Sequence, residues 1–451
     1  MKKLLKAFLC TLALACVLVM PAGAVGFTPP FEISAPAAYI VNTDSNIIVY
    51  EKNSEVPYKA ASLTKVMTAI LLLEQYGDQL DAVSIAPDRA VQDYLWIKSG
   101  GQASNADIRP GEEHTLRKML YAMMLPSANE AAMAVGNFIG GGNDFAFVYM
   151  MNARAKQLGC KDTVFTDACG LDDGNVTTAR DMYLILRHAM SFDAFRQVCA
   201  EPNFNMGANS RYPNNDYIIR TTNMMRDSAR GAEFYRPYTQ GGKTGSLDDW
   251  QNFAGWHTGG EGGETYISVV LNSPKSCDPY PYPTKRPALY ETGLLVDWVF
   301  DNFAIQPALK ADEAITEVKV KYSLDGDTLM LWPKEDLYSI LPLGTDESIT
   351  QKTFHLPEAA AAPIRAGDVI GTVSVSLSGE VIGVVELVAE RDMERSVILY
   401  TFAKIGEFFS SLYFKVVLVL SAIAVVIYLV LYFHWMVKRR GNKNKIRRDR
   451  Y

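Results

Sequence analysis

Histidine is scarce in this chain, with five among 451 residues. None of the five lies in a His-Glu-x-x-His segment, the helical pattern in which two imidazoles bind zinc beside a catalytic Glu. The sequence therefore gives no support for a zinc peptidase, and we expect neither a metal ion nor another cofactor. The histidines are His114, His188, His257, His355 and His434.

Cysteine is nearly as scarce, and four cysteines follow residue 24. Four cysteines can pair in three ways, which the sequence does not distinguish. A chain of this length also buries enough apolar surface to fold without disulfides. We therefore predict no specific bridge among Cys160, Cys169, Cys199 and Cys277.

Excess positive charge is lacking outside the two ends of the chain. The formal charge is −6 overall, while the first 24 residues carry +3 and the last 14 carry +7, which leaves about −16 for the rest. Because an acidic body repels phosphate backbones, no nucleic acid is expected as a partner.

Both ends of the chain have the composition of targeting segments. Residues 1–24 combine three lysines, an apolar run from Ala7 to Met20 and a small-residue exit, which predicts a secretory signal peptide cleaved after Ala24. Residues 416–437 are apolar apart from two positions and long enough to cross a bilayer as a helix. The basic segment 438–451 follows directly, so the positive-inside rule predicts a cytoplasmic tail and an extracytoplasmic body.

The most informative stretch runs from Lys59 to Glu74, an apolar, helix-forming segment without Gly or Pro. It contains Ser62 and Lys65, and residues three apart share one helix face, so the amine can reach the hydroxyl. A lysine amine can act as a base for serine only when it is neutral, which requires burial or a second cation nearby. The pair therefore predicts another lysine in the site. The same pattern also fits Ser62 as a helix N-cap with Lys65 in solvent.

Two further short motifs follow at a distance. Ser127-Ala128-Asn129 interrupts two predicted helices, where Ser and Asn also commonly cap a helix. Lys243-Thr244-Gly245 stands at the start of a predicted strand, where it can also form a turn. In combination with Ser-x-x-Lys, these motifs supply a second hydroxyl, an amide and the second lysine.

Hydrophobic periodicity predicts an alternation of helices and strands around these motifs. We predict strands at 38–41, 46–50, from 253 and at 266–271, and helices at 115–124, 130–138, 145–158 and from Thr177 or Thr178 to about 190. Residues 201–240 show little periodicity, which predicts a long surface excursion. Alternating residues at 315–320 and 367–375 predict a second, β-rich part.

Ser-x-x-Lys, Ser-x-Asn and Lys-Thr-Gly in this order resemble the motif set of the penicillin-recognising serine enzymes. Residues 61–68, 170–172, 178–182 and 222–224 are similar to segments of the D-alanyl-D-alanine carboxypeptidases, which are low-molecular-mass penicillin-binding proteins. The resemblance covers about residues 33–395. It implies an α+β fold: a β-lactamase/transpeptidase-like domain with an antiparallel sheet flanked by helical clusters, then a small β-rich domain and, in this chain, a C-terminal transmembrane helix.

The length of the chain and the resemblance together predict its domains. We expect a signal peptide at 1–24, the carboxypeptidase domain at 25–303, the β-rich domain at 304–395, an amphipathic juxtamembrane helix at 396–415, the transmembrane helix at 416–437 and the tail at 438–451. The juxtamembrane helix is expected because apolar residues recur at helical spacing between 397 and 413, and the family's C-terminal helix lies on the membrane.

The resemblance also implies a role for each motif residue. Ser62 would attack the carbonyl between the two D-Ala residues of a peptidoglycan stem peptide, with Lys65 as base and Ser127 as proton relay. Lys243 would be the second cation, and backbone N–H groups of Ser62 and Ser246 would form the oxyanion hole. β-Lactams would acylate Ser62 as inhibitors. The expected substrate-binding residues are Asn129, Lys243, Thr244, Gly245 and Ser246.

Two positions depart from the family pattern. Cys169 stands where the family commonly has His, which puts in doubt any role of that imidazole in deacylation or specificity. Ala60 stands where Pro is usual, a mild conformational change. We expect Cys169 to be a small buried residue and not a catalytic thiol.

Other functions share parts of this motif set. A β-lactamase has the same acylation residues, but one common type adds a Glu-x-x-Leu-Asn loop that this chain lacks. An endopeptidase that cuts cross-linked peptidoglycan would use the same residues on another substrate. A non-catalytic wall-binding protein would carry them as a vestigial site. The sequence favours the carboxypeptidase and leaves the last two open.

Overall fold

The computed structural model describes residues 28–448 except 248, 261, 276–285, 346 and 378. The predicted signal peptide and Cys277 lie outside these residues. The chain divides into two compact units. The first extends to Leu309 and includes Leu337–Lys352 and Val375–Gly383, and the second comprises Lys310–Asp336, Thr353–Ser374 and the chain from Val384. The domain boundary expected at 303/304 stays a prediction.

The helices and strands of the described residues are as follows. The helices are α1 (Thr64–Tyr76), α2 (Arg89–Ser99), α3 (Leu116–Met124), α4 (Asn129–Ile139), α5 (Asp144–Gln157), α6 (Ala179–Ala189), α7 (Asp193–Ala200), α8 (Pro287–Asn302), α9 (Val397–Ser410) and α10 (Leu412–Arg448). The strands are β1 (Ala37–Asn42), β2 (Ile48–Lys52), β3 (Tyr58–Lys59), β4 (Ser84–Ile85), β5 (His114–Thr115), β6 (Val176–Thr177), β7 (Asn203–Asn205), β8 (Ile218–Arg220), β9 (Thr239–Ser246), β10 (Trp250–Gly259), β11 (Glu264–Pro274), β12 (Phe303–Leu309), β13 (Thr316–Lys321), β14 (Thr328–Pro333), β15 (Leu337–Pro342), β16 (Thr350–His355), β17 (Ala360–Ala361), β18 (Val369–Leu377) and β19 (Glu380–Ala389).

Five antiparallel strands form the central sheet of the first unit, in the order β2-β1-β11-β10-β9. Successive residues of β1 enter two different apolar cores: Tyr39 and Val41 join the core that contains α1, while Ala38 and Ile40 join the core that contains α8. A strand that is covered on both faces has to be apolar on both, which explains its continuous apolar sequence. The strands predicted from 253 and at 266–271 are present as β10 and β11, which pair in antiparallel orientation.

α1 is the central helix of the first core. Its residues from Thr64 to Leu73 are all buried, because the segment is apolar around its whole circumference and other helices and the sheet surround it. A short 3₁₀ turn at Ala61–Leu63 precedes it, so the α-helix begins two residues after Ser62. The turn and the helix together keep Ser62 at the exposed end of a buried element.

Two of the predicted helix starts carry side-chain caps. Thr115 Oγ1 accepts a hydrogen bond from Lys118 N at the start of α3, and Thr178 Oγ1 accepts one from Asp181 N at the start of α6. A capping hydroxyl satisfies one of the backbone N–H groups that a first helical turn leaves unpaired. These helices therefore begin where the sequence predicts them.

The prediction of an aperiodic surface excursion at 201–240 is wrong in part. β7 and β8 form a hairpin in this region, and Met206, Tyr217 and Ile219 are buried. Each strand has three residues and buries a single side chain or none, so no alternation is visible in the sequence.

The second unit is rich in β-strands, as predicted. β13 pairs with β14 in antiparallel orientation, and β14 pairs in the same way with β19. Val318, Leu329 and Leu331 are buried while their neighbours along each strand are more exposed, which is the alternation that the sequence shows.

Two helices follow at the C-terminal end, and Ser411 separates them. α9 exposes apolar side chains that include Phe402 and Ile405. In α10 the segment Leu412–Lys438 is 27 residues long, and within the described part of the chain it is the single helix long and apolar enough to cross a membrane.

Candidate active site

Ser62 lies in the 3₁₀ turn before α1, and its side chain is half-buried. It caps neither the turn nor the helix, because the N-cap residues there are Ala60 and Leu63. The backbone of Ala61 has a φ of 48°, and Gly170 packs so tightly on the Ala61 carbonyl oxygen that a Cβ there would collide with it. The Ser62 hydroxyl is therefore not used to cap a helix. The contact with Gly170 also leaves little room for the turn that carries Ser62 to move.

The Lys65 amine is fully buried directly beneath this hydroxyl. Its Nζ lies 2.9 Å from Ser62 Oγ, 2.6 Å from Asn129 Oδ1 and 2.7 Å from the Cys169 carbonyl oxygen. A neutral amine has two N–H groups and one lone pair. When the two N–H groups are donated to Asn129 and Cys169, the lone pair faces the Ser62 proton. The site therefore has the geometry that a general base requires.

Burial lowers the pKa of Lys65 from its ordinary value of 10.5, because desolvation disfavours the charged ammonium. The nearby Cys169, Asp167 and Glu130 act in the opposite direction, but burial has the larger effect. The shift increases the neutral fraction of the amine near neutral pH, which is the form that can accept a proton.

Ser127 and Asn129 reach the site from the loop between α3 and α4. The N-cap of α4 is Ala128 and no side chain caps that helix, so the interpretation of this motif as a cap is excluded. Ser127 has a φ of 66°, an uncommon conformation for a residue with a side chain. This backbone brings two buried polar side chains, the Ser127 hydroxyl and the Asn129 amide, toward Lys243 and Lys65 respectively.

Lys243 lies within β9, at the edge of the central sheet, and is fully buried. Its Nζ donates to Ser127 Oγ at 2.9 Å and to the Thr244 carbonyl oxygen at 2.8 Å. Burial and the charge of Lys65 lower the pKa of Lys243 well below 10.5. The second lysine is thus joined to the first through the Ser127–Asn129 loop, and the Lys-Thr-Gly motif is part of a strand, not a turn.

The rest of β9 borders the Ser62 turn. A Cβ on Gly245 would lie 3.0 Å from the Ala60 carbonyl oxygen, so the absence of a side chain permits this close approach. Opposite Gly245 on β10, Asn252 Nδ2 donates to the carbonyl oxygens of Lys59 and Ala60 at 2.8 and 3.1 Å. These contacts hold the turn that carries Ser62 against strands β9 and β10.

Thr244 and Ser246 complete the set of predicted residues. Thr244 Oγ1 is 2.7 Å from Thr222 Oγ1, and the Ser246 side chain is exposed at the end of β9. The structure thus brings the predicted residues together as two hydrogen-bonded groups, Ser62–Lys65–Asn129 and Ser127–Lys243, which the chain from Ser127 to Asn129 joins, with Gly245 beside Ala60.

Comparison with known proteins agrees with this geometry. Residues 24–275 match the sequence model of D-alanyl-D-alanine carboxypeptidases. The chain belongs to this family. Residues 303–395 of the carboxypeptidase match a second model, the C-terminal domain of penicillin-binding protein 5. The predictions of a serine-type D-alanyl-D-alanine carboxypeptidase and of a β-lactamase/transpeptidase-like fold with a β-rich second domain are confirmed.

Alignments with individual relatives cover most of the carboxypeptidase. D-alanyl-D-alanine carboxypeptidase DacF of Bacillus subtilis is 26% identical over 366 residues, which are 80% of this chain and 86% of the relative. DacA of Escherichia coli is 26% identical over 361 residues, 78% of this chain and 81% of the relative. The crystal structure of penicillin-binding protein 5 from Haemophilus influenzae has a TM-score of 0.57 at 24% identity and covers 82% of this chain and all of its own, which shows the shared fold.

The carboxypeptidase also uses residues that the sequence analysis missed. Asp167 is buried and accepts hydrogen bonds from the backbone N–H groups of residues 169–172, from Asn175 Nδ2 and from the Tyr94 hydroxyl. This carboxylate shapes the loop whose Cys169 carbonyl oxygen contacts Lys65. Asn252 was missed as well. Neither lies in a motif, and a lone polar residue in a loop or strand gives no signal in a single sequence.

Cys169 matches the expectation of a buried small residue. Its side chain is fully buried, and burial raises the pKa of its thiol above the ordinary value of 9.0. The thiol donates to Asp167 Oδ2 at 3.6 Å. A protonated, inaccessible thiol is not a nucleophile. Cys160 and Cys199 are also buried free thiols.

Proposed function

We propose that this carboxypeptidase removes the terminal D-alanine from peptidoglycan stem pentapeptides through an acyl-enzyme on Ser62. The observation that carries the proposal is the Lys65 amine, whose only remaining partner is the Ser62 hydroxyl once Asn129 and Cys169 have taken two N–H groups. Lys65 removes the proton while Ser62 Oγ bonds to the carbonyl carbon between the two D-Ala residues.

The developing oxyanion is stabilised by the backbone N–H groups of Ser62 and Ser246, a contribution of about 3 kcal/mol per donor. The C–N bond then breaks, and Ser127 donates a proton to the departing amine. Lys243 can restore that proton because it already donates a hydrogen bond to Ser127 Oγ, and the proton that Lys65 took from Ser62 then replaces the one that Lys243 gave up. Water finally hydrolyses the ester and releases Ser62.

Substrate binding would use the residues around the nucleophile. The Asn129 amide would hold the backbone of the stem peptide, and Thr244 would donate to its terminal carboxylate. The same carboxylate would favour the charged form of Lys243, whose pKa burial lowers in the free site. Gly245 would let the peptide lie along the edge of β9. A β-lactam, whose strained amide imitates the scissile bond, would acylate Ser62 by the same step.

We propose that α10 anchors this enzyme in the cell membrane, with the catalytic unit outside and the basic tail inside. The support is the apolar segment Leu412–Lys438 together with the run of Lys and Arg in 438–451. The substrate, a polymer outside the membrane, requires the same orientation.

Replacement of the nucleophile tests the catalytic proposal. In the full-length protein, Ser62→Ala is expected to lower D-Ala release from a pentapeptide ending in D-Ala-D-Ala by about 10⁴-fold or more, and to abolish covalent labelling by penicillin. Ser246→Ala is the control, since it keeps the backbone N–H and is expected to lose less than about tenfold. A penicillin adduct on Ser62→Ala, detected by mass spectrometry, would show that another residue is the nucleophile.

The endopeptidase remains the second candidate because it needs the same residues. Mass analysis of products from a linear pentapeptide and from a cross-linked dimer separates the two. We expect faster release of D-Ala from the linear substrate than cleavage of the cross-link. The opposite order would reassign the enzyme as an endopeptidase, and no turnover of either with an intact Ser62 would indicate a vestigial site.

A further inference from the structure

A cavity of about 730 Å³ lies beside the active site, between α2, the segment that follows it and α4. Its position relative to the proposed catalytic residues is fixed by hydrogen bonds. Asn129 N donates to the Ser104 carbonyl oxygen at 2.9 Å, and the next residue, Glu130, lines the cavity and accepts from Ala106 N at 2.6 Å and Ile108 N at 3.3 Å. The cavity therefore begins one residue away from the amide that contacts Lys65.

Contacts with the segment between β7 and β8 hold the outer wall of this cavity in place. Asp107 forms an ion pair with Arg211 and accepts a hydrogen bond from the Tyr212 hydroxyl at 3.0 Å. The Tyr217 hydroxyl donates to the Ala106 carbonyl oxygen. These contacts attach the wall to the region of the β7–β8 hairpin, so the cavity is formed in the absence of a ligand, as small-molecule sites usually are.

Most of the charged side chains at the cavity have partners. Arg89 pairs with Asp93 at 3.1 Å, and Asp107 is paired with Arg211. Glu130 is 5% exposed, and burial raises the pKa of its carboxyl group. Among the charged lining residues, Arg109 alone has no partner among the described residues, so its guanidinium can donate to acceptor groups of a neutral ligand.

Unused hydrogen-bonding groups stand next to an aromatic ring. The side chains of Gln92 and Arg109 line the cavity and have no hydrogen-bond or ion-pair partner among the described residues. Trp96, also in the lining, is 66% exposed, while Leu95 and Ile108 add apolar surface. Flat aromatic surface combined with amide and guanidinium donors is the chemistry that binds sugar rings, which have apolar faces and hydroxyl or acetamido edges.

We propose that this cavity binds an N-acetylated amino sugar of the glycan strand that carries the stem peptide. The proposal rests on the proposed function, because the sugar and the scissile bond belong to one substrate. The stem peptide would extend from Ser62 past Asn129, and its glycan would rest on Trp96. The enzyme would thus distinguish glycan-linked stems from free peptides.

A comparison of two substrates tests this inference with the full-length protein. One is the free pentapeptide, and the other is the same peptide linked to a disaccharide of N-acetylated amino sugars. The wild type is expected to show the higher kcat/KM on the linked substrate. Trp96→Ala is expected to lower the ratio of the two kcat/KM values about fivefold, the size of one aromatic contact.

Ile97→Ala is the matched control, because Ile97 is 80% exposed on the same helix and does not line the cavity. It should leave the ratio unchanged. An equal fall of both kcat/KM values in Trp96→Ala, or a ratio that the variant does not alter, would overturn the sugar site. If the wild type cleaves neither the free nor the linked peptide, the proposed function fails instead. The sugar site is then judged by titration of the peptide-free disaccharide, with tryptophan fluorescence that changes in the wild type and not in Trp96→Ala.

Discussion

Lys65, the proposed base, lies where burial disfavours its charged form. Its amine has three oxygen partners and no carboxylate in direct contact, so nothing fully compensates the ammonium for its lost hydration. A second buried lysine, Lys243, stands on the other side of the Ser127–Asn129 loop. The charge of Lys65 is, after burial, the second cause that lowers the pKa of Lys243.

The pH dependence of acylation follows from this arrangement. The rate of penicillin labelling should rise with pH as Lys65 loses its proton, with a midpoint below 10.5, because burial lowers the pKa of this lysine. Labelling measured by mass spectrometry between pH 5 and pH 10 gives the midpoint. A rate that rises only toward a midpoint at or above 10.5 would contradict a buried base.

The free energy of unfolding provides a second, independent test of the lowered pKa values of Lys65 and Lys243. The unfolded chain holds the protons of Lys65 and Lys243 up to about pH 10.5, whereas the folded chain releases them earlier. Between the lowered pKa values and 10.5 the unfolded state therefore binds more protons, and stability should rise with pH in that window. Urea unfolding across this range measures the change.

The sequence predicts the contact between Ser62 and Lys65, but residue spacing alone does not predict the other partners of Lys65. The contact between Ser62 and Lys65 follows from their separation of three residues on a helix. The other two partners of Lys65 lie 64 and 104 residues away, and one of them is a backbone carbonyl, which any residue type would supply. Only the resemblance to a known family indicated Asn129 in advance.

The loop at residues 167–172 is the element that decides the position of that carbonyl. The Asp167 carboxylate accepts hydrogen bonds from four successive N–H groups, and Lys98 pairs with Asp172 at 2.6 Å, so the loop is tied to itself and to α2. Gly170, with a φ of 83°, lets the loop turn against the Ala61 carbonyl oxygen. This loop therefore helps to position both the turn that carries Ser62, the proposed nucleophile, and Lys65, the proposed base.

Asp167→Asn is expected to destabilise the protein by about 2–4 kcal/mol, because an amide NH₂ would face N–H donors that now contact a carboxylate oxygen. Penicillin labelling should fall about tenfold as the Cys169 carbonyl oxygen shifts. Asp173→Asn is the matched control, since Asp173 is exposed and pairs only on the surface with Lys59. Urea unfolding and labelling kinetics measure both effects. Equal behaviour of the two variants would remove Asp167 from this role.

The sequence predicts a helix or a strand when the element buries one face or its whole surface, because burial leaves a pattern of apolar residues. α1, α3 and α6 have clear apolar periodicity or caps, and the sequence locates them. β7 and β8 are three residues long, and the loop at 167–172 is held by a carboxylate that binds backbone groups. Such features depend on tertiary contacts and leave no periodic trace in the sequence.

At the scale of the whole molecule, the C-terminal helices carry most of the exposed large apolar side chains of the described residues. α9 exposes Val397, Ile398, Phe402, Ile405 and Phe408, and α10 exposes apolar side chains along its length. Exposed apolar surface on this scale is unfavourable in water, which supports the proposal of a membrane anchor.

Truncation separates the contributions of the two helices. Protein ending at Arg395 is expected in the soluble fraction, whereas protein ending at Ser411 retains α9 and should bind membranes reversibly and wash off in alkaline carbonate. The full-length chain should need detergent for its release. Carbonate extraction of the full-length protein would contradict a membrane-spanning α10.

The contact between Lys65 and position 169 has a wider consequence. Lys65 hydrogen-bonds to the main-chain oxygen of residue 169, so a different side chain at this position leaves that hydrogen bond available. The sulfur is sealed from solvent and holds its hydrogen, so peroxides and electrophiles have no thiolate to attack. A cysteine can therefore lie next to the proposed base of this enzyme without offering oxidants an exposed thiolate.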